Sequence, residues 1–281
     1  MTTLREKMKD AMLLRGFSAG TQKKYLYEVI KLHDYYQRSP AKLSNEEIKG
    51  YLLYLVSERK LSASTYNVAV HSLRFFYDMV LRRIISYQDF PLSKEPKKLP
   101  DILSATEVTK IIKAACNIKH KTMLVLAYGA GMRSSEVANL KVNDIDSDRM
   151  QIHIHNGKGG KDRYVVLSQI MLDMLRNYWR KSRRKVESGW IFPGQCSSKA
   201  VTPATVGAVY KQAKERAGIS KRGGVHGLRH AFATHALEAG EDLYTIKQLL
   251  GHSSIESTAR YLRLTANKMR SIKPPIEALK L

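Results

Sequence analysis

Four stretches of this chain set residues able to handle phosphate or protons at short spacing. Arg133 lies in AYGAGMRSSEVANL, between an apolar helix ending at Gly129-Ala130-Gly131 and the start of another helix. A guanidinium is a permanently charged planar fork suited to phosphate oxygens, and a helix N-terminus beside it adds affinity for anions. Glu136, three residues on, fits a first-turn position or a buttress for Arg133. NGKGGKDR, residues 156–163, brings Lys158, Lys161 and Arg163 to a glycine-rich turn. It lacks the order GxxxxGK[ST] and joins two strands, so it reads as a basic finger, not a nucleotide loop. HGLRHAFATHALEAG holds His226, Arg229 and His230, and QLLGHSSIESTARYLRL sets His252 after Gly251 with Tyr261 nine residues later.

Metal binding is one chemistry open to such residues. His226 and His230 have HxxxH spacing, but the glutamate of HExxH is missing and the nearest downstream acidic residue is Glu238. His153 and His155 alternate on a strand and offer further ring nitrogens. Zinc held by histidine needs three or four converging ligands and groups that orient them. Nothing in the sequence enforces that, so no metal site and no cofactor is assigned. The other chemistry is phosphate and proton handling, in which His226 and Arg229 share one helical face about a turn apart. On that reading His230 and the small apolar residues after it serve packing.

The elements that must position these groups are mostly helices. A helix near residues 3–14 precedes one capped by Ser18. Ser44 with Glu47 forms a capping box for the next, and SASTYNVAVHSLRFFYDMVLRR supplies a fourth. Residues 1–83 therefore read as a small helical bundle. Residues 84–103, with Pro91, Pro96 and Pro100 among Lys94, Lys97 and Lys98, read as an extended basic linker. Ser104 and Glu107 form a second capping box that opens a larger domain over 104–270. There Met150, Ile152 and Ile154 alternate with polar residues before the glycine-rich turn, a β-hairpin pattern inside an otherwise helical run. The fold class is mainly α with a small β-hairpin or sheet, in two domains, followed by a tail over 271–281.

Charge points to the partner. The 281 residues include 48 Lys and Arg against 25 Asp and Glu, a formal +23. Residues 1–90 contribute +6 and residues 91–281 contribute +17, so the larger domain is the stronger electrostatic partner for phosphates. Nucleic acid is the default partner for such a chain. No lipidation signal and no apolar run of membrane-spanning length is present, so a membrane partner is not expected. The charged start MTTLREKMKD has no secretory h-region, and two cysteines, Cys116 and Cys196, make no disulfide framework. A cytoplasmic, nucleoid-associated protein is expected.

In order and spacing the set resembles the tyrosine recombinase (phage integrase) family, in particular its short Xer-like members. The resemblance spans nearly the whole chain and rests on Arg133 in GMRSSE, Lys158 in GKGGKDR, His226 and Arg229 in HGLRH, His252 in LGHSS, and Tyr261 in ARYL. Residues 1–83 resemble the family's SAM-like core-binding domain, including Ser18, Thr21 and Tyr25. The resemblance implies a DNA strand-transfer enzyme in which Tyr261 attacks a phosphodiester, leaving a 3′-phosphotyrosyl bond and a free 5′-hydroxyl. Arg133, Arg229 and His252 would stabilise the transition state, His226 would accept the phenol proton, and Lys158 would protonate the leaving oxygen. Glu136 would support Arg133. Thr21, Lys23, Lys24, Arg74, Lys161 and Arg163 are candidate DNA contacts, with the two domains closing around a duplex. The implied partner is double-stranded DNA with paired inverted core sites, bound by a homo-tetramer compatible with a monomer in solution. The tail over 271–281 would pass to a neighbouring subunit. A partner recombinase or accessory protein is left open, and no additional N-terminal arm-binding domain is expected.

Three rival functions share parts of this pattern. A type IB topoisomerase would relax plasmids lacking a target site. A catalytically silent DNA-binding regulator would form no covalent complex. A metal-dependent nuclease would stop in EDTA.

Overall fold

The computed structural model describes residues 2–83, 86–94, 101–155, 162–182, 189–195, 198–259 and 261–262. It divides into two compact units, Met1–Lys97 and Lys98–Leu281.

The first unit contains α1 (Thr2–Leu13), α2 (Ala19–Tyr36), α3 (Asn45–Ser57) and α4 (Ala63–Phe75), the last continuing as a π-helical turn over Phe76–Val80. Hydroxyl caps start the helices where the sequence places them. Ser18 accepts from the Thr21 amide, Ser44 and Glu47 form a reciprocal box, and Ser62 accepts from Thr65. Met8, Leu32, Ile48, Leu52, Leu73 and Tyr77 share one core. Part of the stretch expected to be linker belongs to this unit. Phe90 is fully buried in the same core. The Tyr66 hydroxyl donates to the Pro91 carbonyl at 3.0 Å, and Asn67 pairs through its side-chain amide with the backbone of Ser93. A buried aromatic ring outweighs the extended tendency of the prolines and lysines around it.

The second unit contains α5 (Ala105–Lys113), α6 (Ile118–Gly129), α7 (Ser134–Ala138), α8 (Gln169–Lys181), α9 (Pro203–Arg216), α10 (His226–Glu238), α11 (Leu243–Leu250) and α12 (Glu256–Ala259). Strands β1 (Ile145–Asp146), β2 (Gln151–Ile154) and β3 (Arg163–Val166) form an antiparallel sheet in that order. Ile152 faces Val165 and His153 faces Tyr164 across β2 and β3, so Ile152, Ile154 and Val165 turn inward. The expected hairpin is present; β1 adds a strand that two residues were too short to announce. The main core joins Met123, Leu126, Ile152, Phe192, Val206 and Leu228. A smaller cluster of Ala233, Leu237, Ile246, Leu250 and Tyr261 lies between α10, α11 and the segment after α12.

Two glycines set the backbone for the site. Gly131 follows α6 with φ +59°, and a Cβ there would stand 2.6 Å from Phe232 Cδ1. Gly251 ends α11 with φ +60°, the left-handed cap that precedes His252. Among the described residues no helix is long and apolar enough to cross a membrane.

Candidate active site

One cleft of about 280 Å³ in the second unit is lined by Arg133, His226, Arg229, His230, Gly251, His252, Ser253, Ser257 and Tyr261. Residues from four separated segments thus meet at one place. Their positions follow from the helix ends. Arg133 precedes α7, His226 and Arg229 occupy the first turn of α10, and His252 follows the Gly251 cap.

The cleft's positive charge is organised around one carboxylate. Glu136 Oε2 accepts from the Arg133 backbone amide at 2.8 Å, and Oε1 accepts from Arg133 Nη1 at 2.7 Å. The same carboxylate takes both terminal nitrogens of Arg163, at 2.9 and 2.7 Å. Arg163 Nε donates to the Leu249 carbonyl at 2.8 Å, which pins β3 to the end of α11. Burial alone would raise the Glu136 pKa, but the hydrogen bond and charge of Arg163 and the bonds from Arg133 hold it down at about 2.

Arg229 is 1 % exposed. Its Nη1 donates to the Gly131 carbonyl at 2.8 Å and its Nη2 donates to the Leu250 carbonyl, so it ties the ends of α6 and α11 to α10. Its Nε has no acceptor among the described residues. Burial, then the nearby charge of Arg133, lower its pKa to about 9, which still leaves it protonated at neutral pH. With Arg163 and Arg133 sharing Glu136, the cleft keeps an excess of fixed positive charge.

Tyr261 is 1 % exposed, and its hydroxyl lies 2.8 Å from His230 Nδ1. The His230 ring packs edge-on against His226 with centroids 4.5 Å apart. The His252 ring lies parallel to the phenol at 6.4 Å, and its Nδ1 is 2.8 Å from the hydroxyl of buried Thr258. The structure therefore corrects the reading of His230 as packing. Its ring reaches the phenol directly and packs in turn against the exposed His226. The signal was available, since His230 is one turn beyond His226 on the same helix.

The other predicted positions divide. Lys158 and Lys161 lie outside the described residues, as does the tail over 271–281. Arg163 does not face outward as a DNA contact; its side chain is 8 % exposed and committed to Glu136. Arg74 is likewise engaged inside its own unit, donating to the carbonyls of Tyr87 and Phe90 and covering the Tyr87 ring. Lys23 and Lys24 are exposed on α2, and the Thr21 hydroxyl shares the Ser18 cap at 3.0 Å.

This fold is shared with DNA recombinases of known structure. The phage integrase family pattern matches residues 101–268, and the pattern of the phage integrase N-terminal SAM-like domain matches residues 4–86. The chain belongs to the phage integrase family of tyrosine recombinases. A Sinorhizobium fredii protein carrying the name integrase/recombinase y4qK is 42% identical over 280 residues, covering 99% of this chain and 90% of that protein. Tyrosine recombinase XerA of Pyrococcus horikoshii is 30% identical over 266 residues, covering 92% of this chain and 87% of its own. The crystal structure of XerH site-specific recombinase bound to difH substrate in a pre-cleavage complex shares the fold, with a TM-score of 0.73 at 21% identity over 95% of this chain and 84% of that one.

Proposed function

We propose that this protein is a site-specific DNA recombinase that cuts and rejoins strands through a phosphotyrosyl intermediate at Tyr261. The observation that carries the reading is the meeting of Arg133, His226, Arg229, His252 and Tyr261 in one cleft. The phenol oxygen attacks a backbone phosphorus, forms the tyrosyl–phosphorus bond at the 3′ side, and displaces the 5′-oxygen. That bond retains the energy of the one broken, so rejoining needs no nucleotide cofactor.

The chain's own groups supply the rest. A phenol ionises near pH 10, so roughly 0.1% is ionised at pH 7 and a proton acceptor is required. His230, 2.8 Å from the phenol oxygen, would take that proton first, with His226 packed against it. Arg133 and the Arg229 Nε would meet the non-bridging oxygens, and His252 would donate a further hydrogen bond. Such donors each contribute about 3–4 kcal/mol to the transition state. Lys158 would return a proton to the leaving 5′-oxygen. The net charge of +23 and the substrate named for the XerH structure support duplex DNA as partner. Paired inverted core sites and a tetrameric assembly complete the proposal, with the tail over 271–281 passing between subunits. Lys23 and Lys24 would contribute backbone contacts from the first unit.

The experiment is a trapping assay. Duplexes are selected by the protein from a randomised pool and rebuilt as nicked suicide substrates. A covalent protein–DNA species on denaturing gels is expected, undiminished by EDTA. Binding without any covalent species would overturn the reading in favour of a DNA-binding regulator.

A further inference from the structure

A second cluster sits on the outer face of the sheet, apart from the cleft. His153 on β2 and His155 just beyond its end both reach Asp162, the residue before β3. His153 Nε2 is 3.3 Å and His155 Nδ1 is 3.5 Å from the same Asp162 oxygen, Oδ2. The two imidazole rings are 3.9 Å apart between centroids. One ligand atom from each of the three residues lies within 4.8 Å of the others. A four-coordinate ion with bonds of about 2.0–2.2 Å holds its ligand atoms roughly 3.3–3.5 Å apart, which is the spacing of each histidine nitrogen from the Asp162 oxygen.

The second observation is the group behind His155. Its other nitrogen, Nε2, lies 3.0 Å from Oδ1 of Asp144, whose side chain is only 7 % exposed. Asp144 is itself fixed, because the Lys141 amide donates to its Oδ2 at 2.8 Å. A carboxylate behind a histidine selects the tautomer with a proton on Nε2 and leaves Nδ1 as a lone-pair donor, the arrangement that orients metal-bound histidines. The Tyr164 ring stacks on His153 at 4.7 Å and limits its rotation. Ion pairing alone explains little, since exposed pairs of this kind contribute about 0–1 kcal/mol.

We propose that His153, His155 and Asp162 bind a divalent transition-metal ion of the zinc type, with Asp144 setting the His155 tautomer. Two imidazoles and one carboxylate favour zinc, cobalt, nickel or copper over magnesium or calcium. Three protein ligands leave a position for water. The site has no part in strand cleavage as proposed above. His155 and Asp162 bracket residues 156–161, so a bound ion clasps the two ends of the segment that carries Lys158.

The test is calorimetric titration of the full chain with zinc chloride, with cobalt chloride as a spectroscopic probe. Wild type is expected to bind zinc and to give the intense visible absorption of four-coordinate cobalt, with magnesium unable to compete. H153Q/D162N should lose at least about 100-fold in zinc affinity and the cobalt bands, and D144N about 10–100-fold. His153 and Asp162 are partly exposed, so circular dichroism and melting of H153Q/D162N without metal should match wild type. Zinc taken up through His226, His230 or His252 is common to both proteins and cancels in the comparison. Zinc affinity undiminished in H153Q/D162N, or no zinc binding by wild type, would overturn the proposal.

Discussion

The hydroxyl of Tyr261 lies 2.8 Å from Nδ1 of His230, and Arg229, the residue before that histidine, is bonded to the carbonyls of Gly131 and Leu250. One turn of α10 thus carries both the group in contact with the phenol and the arginine that joins three helix ends. Chemistry and architecture are coupled at this turn.

Replacing His230 with glutamine should slow covalent adduct formation by about 10²–10⁴-fold, the usual contribution of a positioned proton acceptor. Single-turnover cleavage by wild type and variant checks it. A rate within about twofold of wild type would assign His230 a purely packing role.

Glu136→Gln should remove the counter-charge of two arginines and destabilise the second unit by about 3–5 kcal/mol, the effect of breaking a buried pair. The wild type should also show a distinct acid limb. Glu136 is held at about 2, below its ordinary 4.5, so its ionised form is favoured in the folded state. That contribution, roughly 3 kcal/mol, is complete above about pH 4.5 and is lost as pH falls toward 2. Urea unfolding at several pH values should show a flatter acid limb in the variant.

Gly131→Ala tests the backbone beneath Arg133. Its φ of +59° is strained for alanine, and the new methyl would collide with Phe232 and Leu250. Strain of about 1 kcal/mol and overpacking of about 1–3 kcal/mol should lower the melting temperature by several degrees. Adduct formation should fall as well, since the Gly131 carbonyl holds Arg229.

Much of the fold was legible because its signals are local. Ser18, the Ser44–Glu47 box and the Ser104–Glu107 box marked helix starts, and alternation of Ile152 and Ile154 marked the hairpin. The residues brought to the cleft were legible as an ordered set, although no single one stood out. What stayed hidden depends on partners distant in sequence. Arg163 looked like part of a basic finger because Lys161 is close by; only its pairing with Glu136 and Leu249 turns it inward. Phe90 sat among prolines and lysines, and its burial depends on the core formed by α2, α3 and α4. His153 and His155 stood alone in the sequence, and their contacts with Asp162 and Asp144 arise only from the folding of the sheet.

Arg229→Lys keeps a charge but loses the planar fork that spans Gly131 and Leu250. Loss of two buried bonds should lower stability by about 1–3 kcal/mol, and adduct formation should drop by about 10²–10³-fold. Thermal melting and cleavage measured on the same preparation separate the two effects.

The central claim is that Tyr261 becomes covalently attached to DNA. Adducts trapped on nicked duplexes should be digested with protease and nuclease, and the nucleotide-bearing peptide sequenced by mass spectrometry. A nucleotide joined through its 3′-phosphate to Tyr261, absent from Tyr261→Phe, is the predicted result. Attachment at any other side chain, or an adduct formed by the phenylalanine variant, would contradict the account.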